Sequence, residues 1–231
     1  MNILIAGASG GIGRYLTKHF DVEGNALHLT YHNHPGKVCV PANAAAKLHL
    51  CDFTYAVDVR TMFEKIPSLD VIINCMGHVE NKLVIRMDED QWDRVIDANL
   101  KSVFLSCKWG APKIVDGGHI INISSVLGEM GMQGASNYCA AKGAVEAFTR
   151  SFARECCQPG RRVFVNALSL GYFRVGMGLE LGAHIADFVR ERILLGEFGD
   201  PEEIGRAVDY IISSQYMAGN VLRLNGGLWN S

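Results

Sequence analysis

The chain has 231 residues, with 22 basic and 24 acidic side chains, a formal net charge of −2 and 48% hydrophobic residues. This composition is ordinary for a globular protein, and without a basic run it gives no reason to expect nucleic acid or a membrane surface as a partner. No apolar stretch approaches the roughly 18 residues of a membrane span. The seven cysteines are odd in number and scattered, which favours reduced thiols in a cytoplasmic setting, and no Cys/His spacing predicts a metal site.

Short apolar runs bounded by turn residues alternate with longer helical patterns along the chain. Strands are predicted at residues 2–7, 26–31, 47–51, 70–74, 119–124, 163–168 and 221–225. Helices are predicted at residues 11–20, 57–66, 88–109, 136–157 and 201–214. Because several strands are apolar almost throughout, both faces of their sheet should be covered. The alternation predicts an α/β fold with one doubly wound parallel sheet of about seven strands, in a single domain over residues 1–231.

Two stretches depart from this alternation. The segment between the second and third strands is short, so the helix expected there should be reduced or lost. Residues 172–200 carry glycines at 176, 178 and 182, followed by an amphipathic segment. We interpret this stretch as a mobile lid over the carboxyl edge of the sheet, where such folds place their ligands. A rigid surface helix of the same composition is the alternative.

The first predicted strand runs into a glycine-rich turn, GASGGIG at residues 7–13, and then into a helix. Gly7, Gly11 and Gly13 let the backbone turn tightly and approach a pyrophosphate, which would rest on the helix N-terminus. Placed after a first strand, this turn favours a dinucleotide over a purely structural role.

A second feature is the stretch SNYCAAKGAVEAF at residues 136–148, which places Tyr138 and Lys142 four residues apart. Positions i and i+4 of a helix lie one above the other, so the phenol and the ammonium can share a site. The same spacing also suits a snorkelling lysine beside a half-buried tyrosine. The pair therefore needs its context.

That context resembles the classical short-chain dehydrogenase/reductase family. The matching motifs are AGASGGIG at 6–13, NCMG at 74–77, Asn99 in DANLKSVF, Ser125 in NISSVLG and YCAAK at 138–142. Ser125 precedes Tyr138 by thirteen residues, which is the family's usual interval. FGDPEEIGRAVDYI and VLRLNGG near the end also match, so the resemblance covers essentially the whole chain. It implies a Rossmann-type fold with helices on both sheet faces and an NAD(P)-dependent oxidoreductase.

The resemblance implies a catalytic set of Asn99, Ser125, Tyr138 and Lys142. Tyr138 would give a proton to a carbonyl oxygen as hydride arrives, or remove it in the reverse direction, and Lys142 would stabilise the phenolate and hold the nicotinamide ribose. Ser125, rather than its neighbour Ser124, would polarise the substrate oxygen, and Asn99 would hold a water linking Lys142 to solvent. Taken alone, Asn99 could be a helix-distorting polar group and Ser125 a strand-end turn residue.

NADP(H) is the expected cofactor, with NAD(H) as the alternative. Members that use NAD usually end the second strand with an acid that binds the adenosine ribose hydroxyls. Here TYHNH at residues 30–34 has no carboxylate to repel a 2′-phosphate, which its histidines and asparagine and Lys37 could receive, unless they are only surface-turn residues. Cofactor contacts are expected at Gly7, Ser9, Gly10, Gly11, Ile12, Gly13, His32, Asn33, Asp52, Phe53, Asn74, Cys75, Gly77, Tyr138, Lys142, Gly171 and Phe173.

Four positions depart from the family's pattern. Cys75 and Met76 replace the second Asn and the Ala of its N-N-A-G motif, Leu170 replaces the Pro of its P-G motif, and Val175 replaces a Thr that holds the carboxamide. Cofactor binding is expected to survive with altered affinity, through Gly171 and the backbone near Phe173.

Within the family, the stretch GHVENKLVIRMDEDQWDRVIDANLKSVF at 77–104 most resembles the 3-oxoacyl-[acyl-carrier-protein] reductases. This implies NADPH-dependent reduction of a 3-oxoacyl thioester in fatty-acid or polyketide synthesis, by a homotetramer. Arg161 and Arg162 are candidates for docking a carrier protein, although Asp116 stands where a second basic contact is expected. Alternatives are an enzyme for a small free ketone, sugar or steroid, and a non-catalytic dinucleotide-binding regulatory protein, which the presence of Tyr138 and Lys142 disfavours.

Overall fold

The computed structural model describes residues 1–179 and 181–228. Its strands are β1 (Asn2–Ala6), β2 (Ala26–Tyr31), β3 (Ala45–Leu50), β4 (Leu69–Asn74), β5 (Ile114–Ser125), β6 (Cys157–Gln158), β7 (Arg161–Arg162), β8 (Phe164–Leu170) and β9 (Val221–Leu224). Seven of these described strands form one sheet in the order β3-β2-β1-β4-β5-β8-β9, while β6 and β7 form a short antiparallel ribbon. Every pairing in the large sheet is parallel. The predicted α/β fold with a doubly wound Rossmann-type sheet is confirmed.

Helices cover both faces of this sheet. They are α1 (Gly11–His19), α2 (Ala56–Glu64), α3 (Glu89–Ile96), α4 (Ser102–Gly110), α5 (Leu127–Met130), α6 (Ser136–Cys156), α7 (Ala183–Arg190) and α8 (Pro201–Ser213). Successive residues of a strand face opposite ways. Accordingly, Leu4 packs in a buried cluster with α2, α4 and α6, whereas Ile3 and Ile5 pack in a second cluster with α1 and α8.

The structure adds detail to the sequence prediction at three places. The helix predicted at 88–109 is interrupted between α3 and α4 by a π-helical turn, Asp97–Lys101. Strand β5 begins at Ile114 rather than at residue 119, because Ile114 already pairs with Leu69 of β4, before a shift in register that ends at His119. Between β2 and β3 only a 3₁₀ turn forms, Pro35–Lys37, as the short connection predicts.

The segment predicted as a lid contains a 3₁₀ turn, Gly176–Leu179, and helix α7. Its two ends are held together, because Arg174 N donates to the carbonyl of Gly199 and Gly199 N donates to that of Tyr172, both at 2.9 Å. Its buried side chains pack in a separate small cluster of Val126, Ala186, Val189, Ile193, Phe198 and Leu228. The segment is therefore a loop with joined ends, lying beside the carboxyl end of β5.

The strand order reverses between β1 and β4, which places a crevice at their carboxyl ends. None of the helices in the described ranges has the length and apolarity to cross a bilayer. Within the same ranges, no three His, Cys, Asp or Glu side chains converge as metal ligands would.

Candidate active site

A cavity of about 280 Å³ opens at this crevice. One wall is the glycine-rich turn at Gly10, Gly11 and Ile12, and the opposite wall is the stretch 170–178. Its floor and sides are lined by Cys75, Met76, Gly77, Val79, Asn81, Ile123, Ser124, Ser125, Val126, Leu127, Met132, Ala135, Tyr138, Lys142 and Leu181. The topology thus brings the motifs at 6–13, 74–77, 125 and 138–142 into one place.

The glycine-rich turn has the shape that a phosphate group requires. Gly7 has φ +85°, and a Cβ on Gly13 would lie 2.3 Å from the Gly7 carbonyl oxygen, so neither position accepts a side chain without distortion. Helix α1 follows an N-cap glycine that offers no side-chain acceptor, and its first turn has no acidic residue. The first-turn N–H groups and the helix dipole are therefore available to an anion.

Tyr138 lies in the first turn of α6 and is 7% exposed. Burial raises the pKa of Tyr138 to about 12, while its hydrogen bond with Ser125 acts in the opposite direction. Burial therefore outweighs the stabilisation of the phenolate that the spacing to Lys142 predicts. A phenol with this pKa stays protonated at neutral pH and can donate a proton.

Lys142 lies one turn further along α6 and is 3% exposed. Its Nζ donates to the carbonyl of Ile123 at 2.9 Å and lies 5.6 Å from the centroid of the Tyr138 ring. Burial lowers the pKa of Lys142 to about 8, and the interaction with Cys75 opposes this shift. Lys142 therefore lies beside the Tyr138 phenol, and no carboxylate contributes to the shift of its pKa.

Asn99 is buried in the π-helical turn Asp97–Lys101. Its Nδ2 donates to the carbonyls of His78 and Val95 at 2.7 and 2.8 Å. Its buried Oδ1 has no hydrogen-bond partner among the described residues. A Cβ built on Gly77 would lie 2.9 Å from this oxygen and 3.9 Å from Lys142 Nζ. An unpaired buried acceptor close to Lys142 fits a bridging water.

The neighbouring Ser124 and Ser125 side chains make different contacts. Ser124 Oγ donates to the carbonyl of Lys142 and to Glu146 Oε1, both at 3.1 Å, so it joins β5 to α6. Ser125 Oγ is near Tyr138 and accepts a hydrogen bond from Leu127 N at 3.2 Å. The geometry thus agrees with the choice of Ser125 from its spacing to Tyr138.

The Asn74 side chain is used inside the fold. Its amide belongs to a buried network, in which Ser106 Oγ donates to Asn74 Oδ1 at 2.6 Å and Asn74 Nδ2 donates to Asn122 Oδ1 at 2.8 Å. Asn122 in turn donates to Thr149 Oγ1 at 2.9 Å. The network uses both amide atoms of Asn74 to join β4, β5, α4 and α6, so the expected cofactor contact at Asn74 stays a prediction that concerns its backbone.

The residues expected to meet the adenosine end lie outside the cavity described above. His32 and Asn33 are exposed after β2, and His32 Nε2 is 3.4 Å from Asp52 Oδ2. The other Asp52 oxygen accepts hydrogen bonds from the N–H and the hydroxyl of Thr54. The Phe53 side chain is 5% exposed and packs in the core, so only its backbone can face a ligand. Ser9 is half-buried within the glycine-rich turn.

On the opposite wall, Gly171 and Phe173 line the cavity as expected. A Cβ on Gly171 would lie 2.8 Å from Asn225 Cα, so the strand end requires glycine. A Cβ on Gly11 would lie 2.2 Å from Gly176 Cα, which shows how closely this wall approaches the glycine-rich turn. Several further residues line the cavity but belong to no motif with a characteristic spacing, so the sequence did not point to them. They are Val79, Asn81, Leu127, Met132, Tyr172, Met177 and Leu181.

Arg161 and Arg162, the candidates for docking a carrier protein, lie away from the cavity, and their docking role stays a prediction. Both belong to the β6–β7 ribbon, at the amino end of β8, whereas the cavity lies at the carboxyl ends of the strands. Arg161 Nη2 donates to the carbonyls of Ala111 and Ile114 at 2.7 and 2.8 Å, so its role is to hold the start of β5. Asp116 accepts a hydrogen bond from Arg162 N in the same ribbon.

Comparisons with known proteins agree with this fold. A family model described as "Enoyl-(Acyl carrier protein) reductase" matches residues 7–229. The chain is 32% identical to a 3-oxoacyl-[acyl-carrier-protein] reductase of Thermotoga maritima, covering 97% of this chain and 96% of the relative. It is 31% identical to a 3-oxoacyl-[acyl-carrier-protein] reductase of Rickettsia felis, covering 97% and 95%.

Solved structures give the same result. A dehydrogenase/reductase from Sinorhizobium meliloti 1021 superposes with a TM-score of 0.90 at 28% identity, over 98% of this chain and 94% of the other. A short-chain dehydrogenase/reductase (glucose/ribitol dehydrogenase) from Brucella melitensis gives 0.88 at 26% identity, over 100% and 97%. The chain belongs to the short-chain dehydrogenase/reductase family. It is an NAD(P)-dependent oxidoreductase acting on CH–OH and C=O groups.

Proposed function

We propose that the protein is a cytoplasmic, NADPH-dependent ketoreductase that reduces a 3-oxoacyl thioester to the 3-hydroxyacyl product. The observation that carries the proposal is Tyr138, a buried phenol held protonated beside Ser125 and Lys142 at the base of an apolar cavity. The names of the Thermotoga and Rickettsia relatives support the substrate class. A thioester carried by acyl carrier protein is the substrate that those names indicate.

In the proposed reaction, Ser125 and Tyr138 hold the substrate carbonyl oxygen, so that charge developing on it is stabilised. When bound, the nicotinamide supplies the hydride. Tyr138 transfers its hydroxyl proton to the oxygen, which completes the alcohol. The Lys142 ammonium stabilises the resulting phenolate. A water on Asn99 Oδ1 would link Lys142 to solvent, so that Tyr138 regains its proton.

The cofactor residues fit the proposal at both ends of the dinucleotide. The free N–H groups of the first turn of α1 would hold the pyrophosphate, and Lys142 the nicotinamide ribose. At the adenosine end, His32 and Asn33 are exposed and no carboxylate occurs within residues 30–34, which favours a 2′-phosphate.

The cavity also fits an acyl substrate. Beyond Tyr138, its walls are mainly apolar, with Val79, Leu127, Met132 and Leu181 along them. Such walls bind a hydrocarbon chain, whereas a sugar would leave its hydroxyl groups without partners. A free ketone or sugar alcohol remains the second candidate, because one structural relative is named a glucose/ribitol dehydrogenase.

The decisive experiment compares matched substrates by NADPH oxidation. The purified chain is given an acetoacetyl thioester on carrier protein and on coenzyme A, the corresponding trans-2-enoyl thioester, and a panel of free ketones and sugars. We expect kcat/KM for a 3-oxoacyl thioester to exceed that for any free ketone by at least about tenfold, which is a difference of about 1.4 kcal/mol. Preference for the enoyl thioester would instead support the activity in the family model's description, and preference for a free ketone or sugar would support the second candidate.

A further inference from the structure

The N-terminus of α6, which carries Tyr138, lacks the usual cap. The N-cap residue is Ala135, which has no side-chain acceptor for the first-turn N–H groups. The N–H of Tyr138 donates instead to Oδ1 of its neighbour Asn137, at 2.8 Å. Asn137 is 0% exposed, so this amide is a buried group placed directly before the proposed proton donor.

The other end of the Asn137 amide reaches across to the loop that follows β4. Its Nδ2 donates to the backbone carbonyl of Glu80 at 3.1 Å. The Glu80 carboxylate is held in turn by α3, because Gln91 Nε2 donates to it at 2.8 Å and Arg94 donates to both of its oxygens. Hydrogen bonds to the two ends of Glu80, its carboxylate and its backbone carbonyl, therefore connect α3 with Asn137 and so with the backbone of Tyr138.

These hydrogen bonds join the two parts of the site, the loop after β4 and helix α6. The loop held by Glu80 also carries Gly77, which lines the cavity, and His78, whose carbonyl orients the Asn99 amide. Helix α6 carries Tyr138 and Lys142. Proton transfer is sensitive to displacements well below 1 Å, so a buried amide that fixes the loop against the helix has a direct effect on the reacting geometry.

We propose that Asn137 is a positioning residue that holds Tyr138 in register with the loop at 77–80 for proton transfer. The inference rests on the proposed role of Tyr138 as proton donor. It assigns Asn137 a kinetic function that a purely structural amide would not have.

The test uses the full chain with Asn137→Ala, Glu80→Gln and the double variant, assayed on the best carbonyl substrate. We expect Asn137→Ala to lower kcat by about 10- to 100-fold while the Kd for the cofactor changes less than about threefold. The solvent deuterium isotope effect on kcat should increase, because proton transfer then limits the rate. The matched control is Asn43→Ala, which removes an exposed amide that donates to the carbonyl of Asp21, and it should leave kcat unchanged.

Glu80→Gln keeps the side-chain shape and keeps the test decisive if Asn137→Ala folds poorly. It should lower kcat a few-fold and cause no further loss in the Asn137→Ala background, because both act through the same connection. Additive losses, or a kcat per folded molecule within twofold of wild type with an unchanged isotope effect, would overturn the inference. If Tyr138→Phe remains active, the proposed function itself fails; if Tyr138→Phe is inactive and Asn137→Ala is normal, only the positioning role fails.

Discussion

At the scale of single residues, burial sets the chemistry of Tyr138 and Lys142 in opposite directions. It raises the pKa of the phenol to about 12 and lowers the pKa of the ammonium to about 8, and in both cases the neutral form is favoured. A neutral phenol is the form that can protonate a carbonyl oxygen.

Replacing Tyr138 with Phe removes only the hydroxyl, and the ring can remain buried where it is. We expect folding and cofactor binding to persist while kcat falls by about 10²–10⁴, the usual worth of general acid–base catalysis. The measurement is steady-state NADPH oxidation together with a fluorescence titration of the cofactor. Tyr210→Phe, at an exposed position of α8, is the control and should retain full activity. A loss smaller than tenfold in Tyr138→Phe would contradict its role.

Lys142 should reduce stability at neutral pH. Its pKa falls from 10.5 to about 8 on folding, so below pH 8 the fold holds a buried ammonium that the unfolded chain would hydrate freely. The penalty is fully present below pH 8, is relieved as pH rises toward 10.5, and amounts to about 3 kcal/mol. Lys142→Met should therefore raise the free energy of unfolding at pH 7 by about 1–3 kcal/mol while abolishing activity.

Urea unfolding at pH 7 and near pH 10.5 checks this expectation. The gain in the free energy of unfolding should shrink at the higher pH, where Lys142 is neutral in the fold and only half protonated in the unfolded chain. The exposed Lys18→Met is the control and should change stability little at either pH. Equal gains for Lys142→Met at both pH values would mean that packing, rather than charge burial, explains the difference.

Cofactor choice is the remaining prediction at this scale. Wild type should bind NADPH more tightly than NADH, and His32→Asp should place a second carboxylate beside Asp52, repelling the 2′-phosphate. We expect the ratio of the two Kd values to change by at least about tenfold toward NADH. His32→Gln separates loss of the imidazole from added charge. Tighter binding of NADH by wild type would show that the TYHNH stretch is only a surface turn.

A fixed motif spacing locates a residue along the chain, but it does not give the direction of its side chain. The thirteen-residue interval selects Ser125 over Ser124, and the structure uses the Ser124 hydroxyl between β5 and α6. For Asn74 and Phe53 the motif gave the right place on the chain but not the orientation. Both side chains point into the core, because alternate residues of a strand or its exit must face inward.

At the scale of elements, strands were predictable because buried parallel strands are short continuous apolar runs. Strand β5 was predicted too short, because Asp116 and the two glycines after it interrupt the apolar pattern of its first half. The π-helical turn at Asp97–Lys101 could not be anticipated, because a single extra residue in a helical turn leaves the apolar pattern almost unchanged. That turn is nevertheless what places Asn99.

The segment 172–200 carries the prediction at this scale. Its ends are joined near Phe173 and Gly199, while Leu179, Ile185 and Phe188 within it are between 47% and 67% exposed. Exposed apolar side chains on a segment that lines the cavity through Met177 and Leu181 are available to cover an acyl chain. Hydrogen exchange across 174–198 should therefore slow when NADPH and a thioester product bind, whereas exchange in α8 should not change. Equal protection in both states would identify the segment as a preformed wall.

At the scale of the whole molecule, the sheet accounts for only one side of α4 and α6. The inner sides pack in the core, and an aromatic row continues from its margin: Phe148 and Phe152 are partly buried against the core, and Phe104 next to them is exposed. Phe148 and Phe152 stack at 5.3 Å between ring centroids, and Phe104 contacts Phe148 edge-to-face at 6.4 Å while 42% exposed. Aromatic side chains with exposed area are typical of the core of a subunit interface.

We therefore expect a homotetramer in which this aromatic row meets the same row of a second copy. A self-complementary patch of this kind forms a two-fold interface, and two different two-fold interfaces generate a tetramer. Light scattering should give about four times the chain mass of 25.3 kDa for the wild type. Phe104→Glu would place a charge opposite its own symmetry mate, so the mass should fall to that of a dimer. Val57→Glu, on the exposed side of α2, should leave the tetramer intact. A wild-type monomer at micromolar concentration would reject the assembly and require that the aromatic row be covered in another way.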